Sequence, residues 1–444
     1  MKLKVLVWPC TTEIGREVIK ALRDDKDIEL VLAASEGPWQ GRFKLPDVSD
    51  WLWPAELRAL VVAESITHIY PCHDAVINAL AGNIELFDTA IIGQTPEAAL
   101  TCDSKLATYQ ALRDVVTIPL NLYRTDSTRL AWELDVTAPL FVKPDAGNAS
   151  RGTTMLRACE FDSAISDAIQ RAIDSSRNGD ALVCEYLPGP EFTIDCFSDR
   201  ERGLLWYSTR SRDRTTGGIS VATERISANV YGSIAPVMSA WATNISKALS
   251  MRGAWFFQVK LREDGEPALL EVGARIAGGS ALARANGVNL PLLSLYESLR
   301  IPLKVMDTNC VTALRRPLAN EYDLAFRWDA LYIDLDDTLI CKGQVNHRLM
   351  ALCYKAVADN KKLVMLTRTD SGSAIGGKLT GYGISEHLFD DIFCLGSGSA
   401  HSKADYIRDK TGAIFIDDSF REREDVHQRL GIPVFDAAGA ECLL

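Results

Sequence analysis

The stretch Leu331-Tyr332-Ile333-Asp334-Leu335-Asp336-Asp337-Thr338-Leu339-Ile340 limits what this chain can fold into more than any other. An apolar run of strand length ends in a cluster of carboxylates. Acids buried at a strand end are costly unless a cation or a phosphoryl-transfer reaction requires them. Three downstream segments repeat the design. Lys362–Thr367 is an apolar strand ending in a hydroxyl, Lys403 opens a helical stretch, and Ala413–Ile416 is an apolar strand before Asp417-Asp418. The carboxyl ends of parallel strands converge on one crevice, so these groups are expected to meet. Three quarters of the chain precede this region and must do something else.

At 444 residues, the length suggests about three units of roughly 150 residues each. With 47% apolar and 24% charged residues, the chain can bury a sizeable core. A net charge of −11 argues against nonspecific attraction to nucleic acid or an anionic membrane. No run has the apolar length of a membrane span, and the apolar part of Met1–Trp8 is too short for a signal segment. The 11 cysteines are dispersed with no Cys-x-x-Cys pair, which fits small buried hydrophobes better than a disulfide frame or zinc site. A reducing, cytoplasmic setting is expected.

Strand signals at Lys4–Pro9, Ile28–Ala33, Ile66–Pro71 and Ala90–Gly93 alternate with helical patterns through Ile14–Leu22 and Ala75–Ala81, which predicts an open parallel sheet. The loop after the first strand has one glycine, Gly15, and no Gly-x-Gly-x-x-Gly, so a dinucleotide is not expected. From about 100 to 320 the pattern changes. Helices are expected at Ser104–Arg113, Ser163–Ser175, Ala235–Ala248 and Leu290–Ser298. The intervening strands are Leu140–Lys143, Thr153–Arg157, Ala181–Tyr186, Glu191–Ser198, Leu204–Thr209, Trp255–Leu261 and Pro267–Val272. Arg315–Trp328 reads as a last strand plus linker, after which βα alternation resumes.

In the middle region, a strand delivers Lys143 into the loop Asp145–Gly152, which holds two glycines and Ser150. Backbone N–H groups of such a loop can approach phosphates while the lysine supplies charge, although any glycine hairpin looks similar. Gln258 and Glu271 fall on neighbouring strands where one face can present both as oxygen ligands for Mg2+. Arg210, Arg212 and Arg214 alternate, and on one strand they would share a face, as a clamp for carboxylate or phosphate or as a solvated charged strand. Arg284 and Asn286, after Gly278-Gly279-Ser280, are further candidates for substrate contact. His73 reads as structural, and Trp51-Leu52-Trp53 as core or domain-contact packing.

Together these residues resemble the ATP-grasp superfamily, most closely its carbamoyl-phosphate-synthetase-like and D-alanine-ligase-like members, over residues 1 to about 320. The resemblance implies nucleotide lysines at Lys105 and Lys143, an adenine-binding hinge at Glu185-Tyr186-Leu187, and a ribose-binding acid at Glu191. It also implies Mg2+ ligands at Gln258 and Glu271, and a phosphate-steadying arginine at Arg275. Two positions depart from the family. Gly273 stands where asparagine is usual, and Ala149 where glycine is common in the phosphate loop. The implied chemistry is activation of a carboxylate by the γ-phosphate of ATP, then attack on the acyl phosphate by an amine.

The C-terminal set resembles the haloacid-dehalogenase (HAD) superfamily over about 328–444. The resemblance implies Asp334 as the nucleophile that forms an aspartyl phosphate and Asp336 as general acid and base. Thr367 would bind phosphoryl oxygens and Lys403 would neutralise charge. The carboxylates of Asp334, Asp336, Asp417 and Asp418 would supply the Mg2+ site. The Thr338–Lys362 gap has room for one helix and the Thr367–Lys403 gap for one βα unit, which resembles capless members with open sites.

The expected fold is therefore α/β in three parts: a pre-ATP-grasp αβ domain (1–100), an ATP-grasp α+β domain (101–325) and a Rossmann-like HAD domain with a parallel sheet (326–444). The expected activity is an ADP-forming carboxylate–amine ligase joined to a Mg2+-dependent phosphatase. Its cofactors would be ATP and Mg2+ or Mn2+, its partners small molecules, with no nucleic acid or membrane, and family analogy implies a homodimer. Two alternatives remain open at this point: a small-acid kinase without ligation, and an ATP-sensing module governing the phosphatase.

Overall fold

The computed structural model describes residues 2–444 apart from 37–41, 124–138, 148–149, 158–160, 227–233, 318–321, 323, 371–373, 397 and 409. Two compact units result, Met1–Pro317 and Leu318–Leu444.

The first unit begins with a five-stranded parallel sheet. Its spatial order is Phe43–Lys44, Ile28–Ala34, Leu3–Trp8, His68–Pro71, Ala90–Ile91. Leu3–Trp8 is central, pairing Val5 with Leu30 on one side and His68 on the other. Its alternate residues enter separate cores, as the period of two requires. Val5 and Val7 pack with Ile14 and Val18 of the helix Glu13–Leu22. Leu6 and Trp8 pack with Trp53 and Leu57 of the helix Trp53–Ala63. A strand covered on both faces reads as a continuous apolar run, which is why its signal is strong. Trp53 is buried but Trp51 is 84% exposed, so the expected Trp-Leu-Trp packing holds for only one of the two indoles. At Gly15 a Cβ would lie 2.3 Å from the Pro9 carbonyl oxygen, so only glycine lets this helix start against the strand end.

Two antiparallel four-stranded sheets follow. One runs in the order Asn121–Tyr123, Ala181–Glu185, Leu140–Pro144, Thr154–Leu156 and carries the helix Phe161–Asp174. The other runs Gly203–Ser211, Glu191–Asp199, Gly253–Leu261, Pro267–Gly273 and packs on the helix Ile234–Ala248. A hairpin, Arg214–Thr216 with Ile219–Glu224, pairs with Ala313–Arg315 into a small third sheet. The Thr-Thr-Gly-Gly segment is thus the turn of a hairpin. Gly217 and Gly218 both take positive φ there, the conformation that favours glycine.

The second unit is a five-stranded parallel sheet ordered Asp391–Leu395, Lys362–Arg368, Ala330–Ile333, Ala413–Ile416, Val434–Phe435. The helices His347–Ala358 and Phe420–Leu430 belong to it. Thr338 to Lys362 holds a two-residue-per-strand hairpin and one helix, and Thr367 to Lys403 one short helix and one strand among the described residues. Among the described residues, no helix of the chain is long and apolar enough to cross a membrane.

Candidate functional site

In the first unit, a cleft of about 220 Å3 is lined by both antiparallel sheets. Lys143 sits near the end of its strand, fully enclosed, and donates to Tyr109 Oη at 2.7 Å. Burial works against its charge, but the hydrogen bond to Tyr109 and the Glu271 carboxylate favour it, and its pKa is raised. Burial pushes the Tyr109 phenol up to about 12, so the contact is an ammonium donating to a neutral hydroxyl. Lys105 opens the helix Lys105–Leu112, and its Nζ donates to the carbonyls of Asp145 (3.2 Å) and Gly147 (3.1 Å). Burial pushes this ammonium below the usual lysine range, against the pull of Glu271. Asp145 organises the junction: its carboxylate accepts from Ser104 Oγ at 2.7 Å and from the Leu106 N–H at 2.7 Å. It drew no attention in the sequence because an acid after Lys-Pro has no spacing signature.

The rest of the cleft comes from the hinge and the second sheet. Glu185, Tyr186 and Leu187 line one wall. The Glu185 carboxylate is itself engaged, accepting from Arg262 at 2.7 Å and from the Leu120 N–H at 2.8 Å, and the N–H groups of Glu185 and Tyr186 donate to the carbonyls of Leu120 (2.9 Å) and Pro139 (3.1 Å). Glu191 pairs with Arg212 Nε at 3.0 Å, and burial raises its pKa against Arg212 and Lys260. Gln258 and Glu271 are direct cross-strand partners and both face the cleft. An acid and an amide in register on adjacent strands suit a hard cation, which takes oxygen ligands. Lys260, also in the cleft with its Nζ 5.5 Å from the Tyr186 ring, went unread because it is one of many lysines on strands.

Ser150 lines the cleft with φ of +55°, whereas Asn148 and Ala149 of the same loop lie outside the described residues. Gly273 has a local reason. A Cβ there would sit 2.1 Å from Cε1 of Phe256, so the ring occupies the space a side chain would need. Arg275, partly buried two residues further on, makes a two-pronged pair with Asp74, both contacts at 2.7 Å. Burial opposes the charge of Asp74, yet Arg275 outweighs it and holds the carboxyl below its ordinary range. Arg275 borders a second cavity of about 270 Å3 that shares Gln258, Glu271 and Arg212 with the cleft and reaches Glu13 and His73. The His73 Nδ1 accepts from the Ala75 N–H at 3.2 Å as the cap of the helix Asp74–Ala81, a structural task.

The three alternating arginines do not share a face. Arg210 is 3% exposed and bound to Asp195 at 2.7 Å, Arg212 lines the cleft, and Arg214 is exposed on the next strand. The reason is that the strand Gly203–Ser211 ends between them, so the period of two is broken after Ser211. Arg284 pairs with Glu17 at 2.7 Å, and Asn286 bonds backbone groups of Leu282 and Val311. Both hold the fold together.

With this geometry in hand, the comparisons place the first unit. Residues 177–314, about a third of the chain, match the family described as "ATP-grasp in the biosynthetic pathway with Ter operon". The biotin carboxylase domain of a Hydrogenobacter thermophilus 2-oxoglutarate carboxylase, solved with MgADP and bicarbonate, superposes with a TM-score of 0.58. That likeness covers 70% of this chain and 73% of the other at 16% identity. The first unit has an ATP-grasp fold. An L-amino acid ligase from Bacillus licheniformis is similar too, with a TM-score of 0.52 at 17% identity over 68% of this chain and 75% of its own. In sequence, a D-alanine–D-alanine ligase of Thermotoga petrophila is 28% identical over 153 residues, 34% of this chain and 45% of that ligase. The chain thus spans under half the length of the curated relative it matches. These matches support the ATP-grasp superfamily, with ligase-like relatives, for this unit.

The second unit holds its own cluster. Pairing of Ile333 with Met365 and with Ile416 sets Asp334, Thr367 and Asp417 at neighbouring strand ends. Lys403 is 2% exposed and bridges Asp334 (2.7 Å) and Asp417 (2.5 Å). Burial raises the Asp334 pKa to about 6 against the pull of Lys403, and burial raises Asp417 as well. Carboxylate oxygens of Asp334, Asp417 and Asp418 lie within 4.8 Å of one another. The Thr338 hydroxyl accepts from the Asp418 N–H at 2.9 Å and steadies that loop. The Asp336 carboxylate turns away from this group and pairs with Lys378. The Thr367 hydroxyl is fully buried with no hydrogen-bond partner among the described residues, aligned with the acids at the sheet end.

Proposed function

We propose that the first unit is an ATP-dependent, ADP-forming ligase that activates a small carboxylate as an acyl phosphate and joins it to an amine. One observation carries this reading: Lys105, Lys143, the 185–187 hinge, Glu191, Gln258 and Glu271 converge on one cleft. The hinge backbone would receive the adenine, Glu191 the ribose, and the two lysines the phosphates. Gln258 and Glu271 would hold Mg2+, which supplies charge neutralisation on the transferring phosphoryl group when bound. Arg275, kept charged by Asp74, would face the same developing charge from the adjoining cavity. That cavity, continuous in lining with the cleft, would admit the carboxylate and the amine. The ligase-like relatives support this choice over phosphorylation alone.

The test is ADP release by the full chain with MgATP across amino acids and phosphorylated acids. Turnover that requires both an acid and an amine supports ligation. Amine-independent turnover to a stable phosphorylated acid would make it a kinase, and ATP binding without any ADP formation would make it a sensor.

For the second unit we infer a HAD-type phosphohydrolase. The Asp334–Lys403–Asp417 constellation and the unsatisfied Thr367 hydroxyl support it. Asp334 would attack phosphorus, and Lys403 would balance the charge of nucleophile and phosphate. Thr367 would donate to a phosphoryl oxygen, and Asp334, Asp417 and Asp418 would hold Mg2+. Asp336 would serve as acid and base once released from Lys378, its carboxylate being partly exposed. Hydrolysis of p-nitrophenyl phosphate that requires Mg2+ and Asp334 is the expected result.

A further inference from the structure

A third cavity in the first unit, about 310 Å3, is larger than the nucleotide cleft and, apart from Arg275, shares no residue with the proposed reaction. It opens beside the carboxyl ends of His68–Pro71 and Ala90–Ile91, with the helix Asp74–Ala81 as one wall. The walls are mostly aliphatic: Ile77, Ala81, Ile84, Ile91 and Ile276. Three arginines border it, and they differ in one respect. Arg275 is matched by Asp74, and Arg200 by the buried Glu297 through contacts of 2.6 and 2.9 Å.

Arg252 has no carboxylate within ion-pair distance among the described residues. Its Nε donates to the Gly93 carbonyl at 3.0 Å and its Nη2 lies 3.5 Å from the Gln94 carbonyl. Gln94 pins the same backbone, accepting from the Arg252 N–H at 2.9 Å and donating to the Ala254 carbonyl at 3.1 Å. The guanidinium is therefore held in place with no ion-pair partner of its own among the described residues. Burial lowers its pKa, Glu297 raises it, and the Arg200 cation lowers it again. A pre-oriented, half-buried arginine of this kind is a ready partner for a carboxylate, which can take two of its N–H groups. Aliphatic walls with one charged anchor are the usual composition of a small-molecule pocket.

We propose that this cavity is a second small-molecule site, one that takes a monocarboxylate with a compact apolar body. The single charge without such a pairing selects a monoanion over a polyphosphate, and the isoleucine walls select a hydrocarbon body over a sugar. Arg275 and Ala274 line this cavity and also border the space around Glu271, so an occupant would rest against the far side of the Asp74–Arg275 pair.

The test is calorimetric titration of the full chain with hexanoate and phenylacetate, and with hexanamide as the uncharged control. Saturable binding of at least one acid is expected, with the amide at least tenfold weaker. Arg252→Gln should weaken the acid at least tenfold, with Arg252→Lys falling between. Ala81→Phe, which fills the cavity while sparing the arginine, should abolish binding. MgADP titrated into the same samples reports on the nucleotide cleft, so failure of that reading and of this one are separable. The proposal is overturned if neither acid binds, if the amide binds equally well, or if acid binding survives both Arg252→Gln and Ala81→Phe.

Discussion

Replacing Asp195 by alanine should strongly destabilise the first unit, although Asp195 does not line the cleft. Asp195 and Arg210 are each 3% exposed, joined at 2.7 Å with a second contact at 3.5 Å. Arg210 has one further side-chain neighbour, Thr223 Oγ1 at 3.4 Å, too weak to replace an anion. Removing one partner of a buried pair strands the other charge and costs about 3–5 kcal/mol. Unfolding entropy of roughly 2.1 cal/mol/K per residue, over the 317 residues of this unit, comes to roughly 0.67 kcal/mol/K. The melting temperature should therefore fall by about 5–7 °C, read by tryptophan fluorescence. The control is Asp195→Leu with Arg210→Met, which removes both charges at similar volume and should melt within about 2 °C of the parent. If the double variant melts as low as Asp195→Ala, the cost lies in packing and the unpaired-charge argument fails. If Asp195→Ala melts normally, water reaches Arg210 and the pair is not buried in solution.

Other perturbations separate the two sites. Glu271→Gln should lower ADP formation at least 100-fold, about 2.7 kcal/mol of lost barrier reduction, while nucleotide binding without Mg2+ stays near parental. Asp334→Asn should abolish p-nitrophenyl phosphate hydrolysis and leave ATP turnover unchanged; loss of both would mean that the sites are not separate. Acid titration of Asp74→Asn tests the Arg275 pair. A carboxyl held below its ordinary 3.8 stabilises the fold above that pH and loses the effect as pH falls through its lower folded value. The parent should lose stability below about pH 3.8 over this range, and the variant should show a shallower acid limb by circular dichroism. Thiol titration should find Cys310, which is exposed, reacting before Cys10, Cys72, Cys184, Cys196 and Cys353, which are buried.

Much of the architecture was legible because both periodic signals were strong. The apolar runs at Leu3–Trp8, Leu331–Ile333 and Ala413–Ile416 are strands covered on both faces, and such strands announce themselves by composition. The neighbouring strands that carry Gln258 and Glu271 were also legible, but their register was not: a bulge between Gln258 and Val259 sets Glu271, rather than Leu270, opposite Gln258. Weak elements were not. The hairpin at 214–224 has only short strands and half-exposed faces, so it leaves no strand signal. The helix at 53–63 buries little beyond Trp53 and Leu57, which left no readable stripe.

The sequence by itself determined which groups are candidates for the proposed chemistry: the lysines, the amide–acid pair and the strand-end aspartates, all chosen by residue type and by position on or at the end of an apolar run. Tertiary structure alone decided which charges remain available. Arg210, Arg284 and Arg275 look alike along the chain, but Asp195, Glu17 and Asp74 neutralise them from remote positions. Arg252, with no signature at all, lies beside a cavity with no ion-pair partner among the described residues. A charge is free or spent according to what packing brings within about 4 Å of it, and no local pattern encodes that distance.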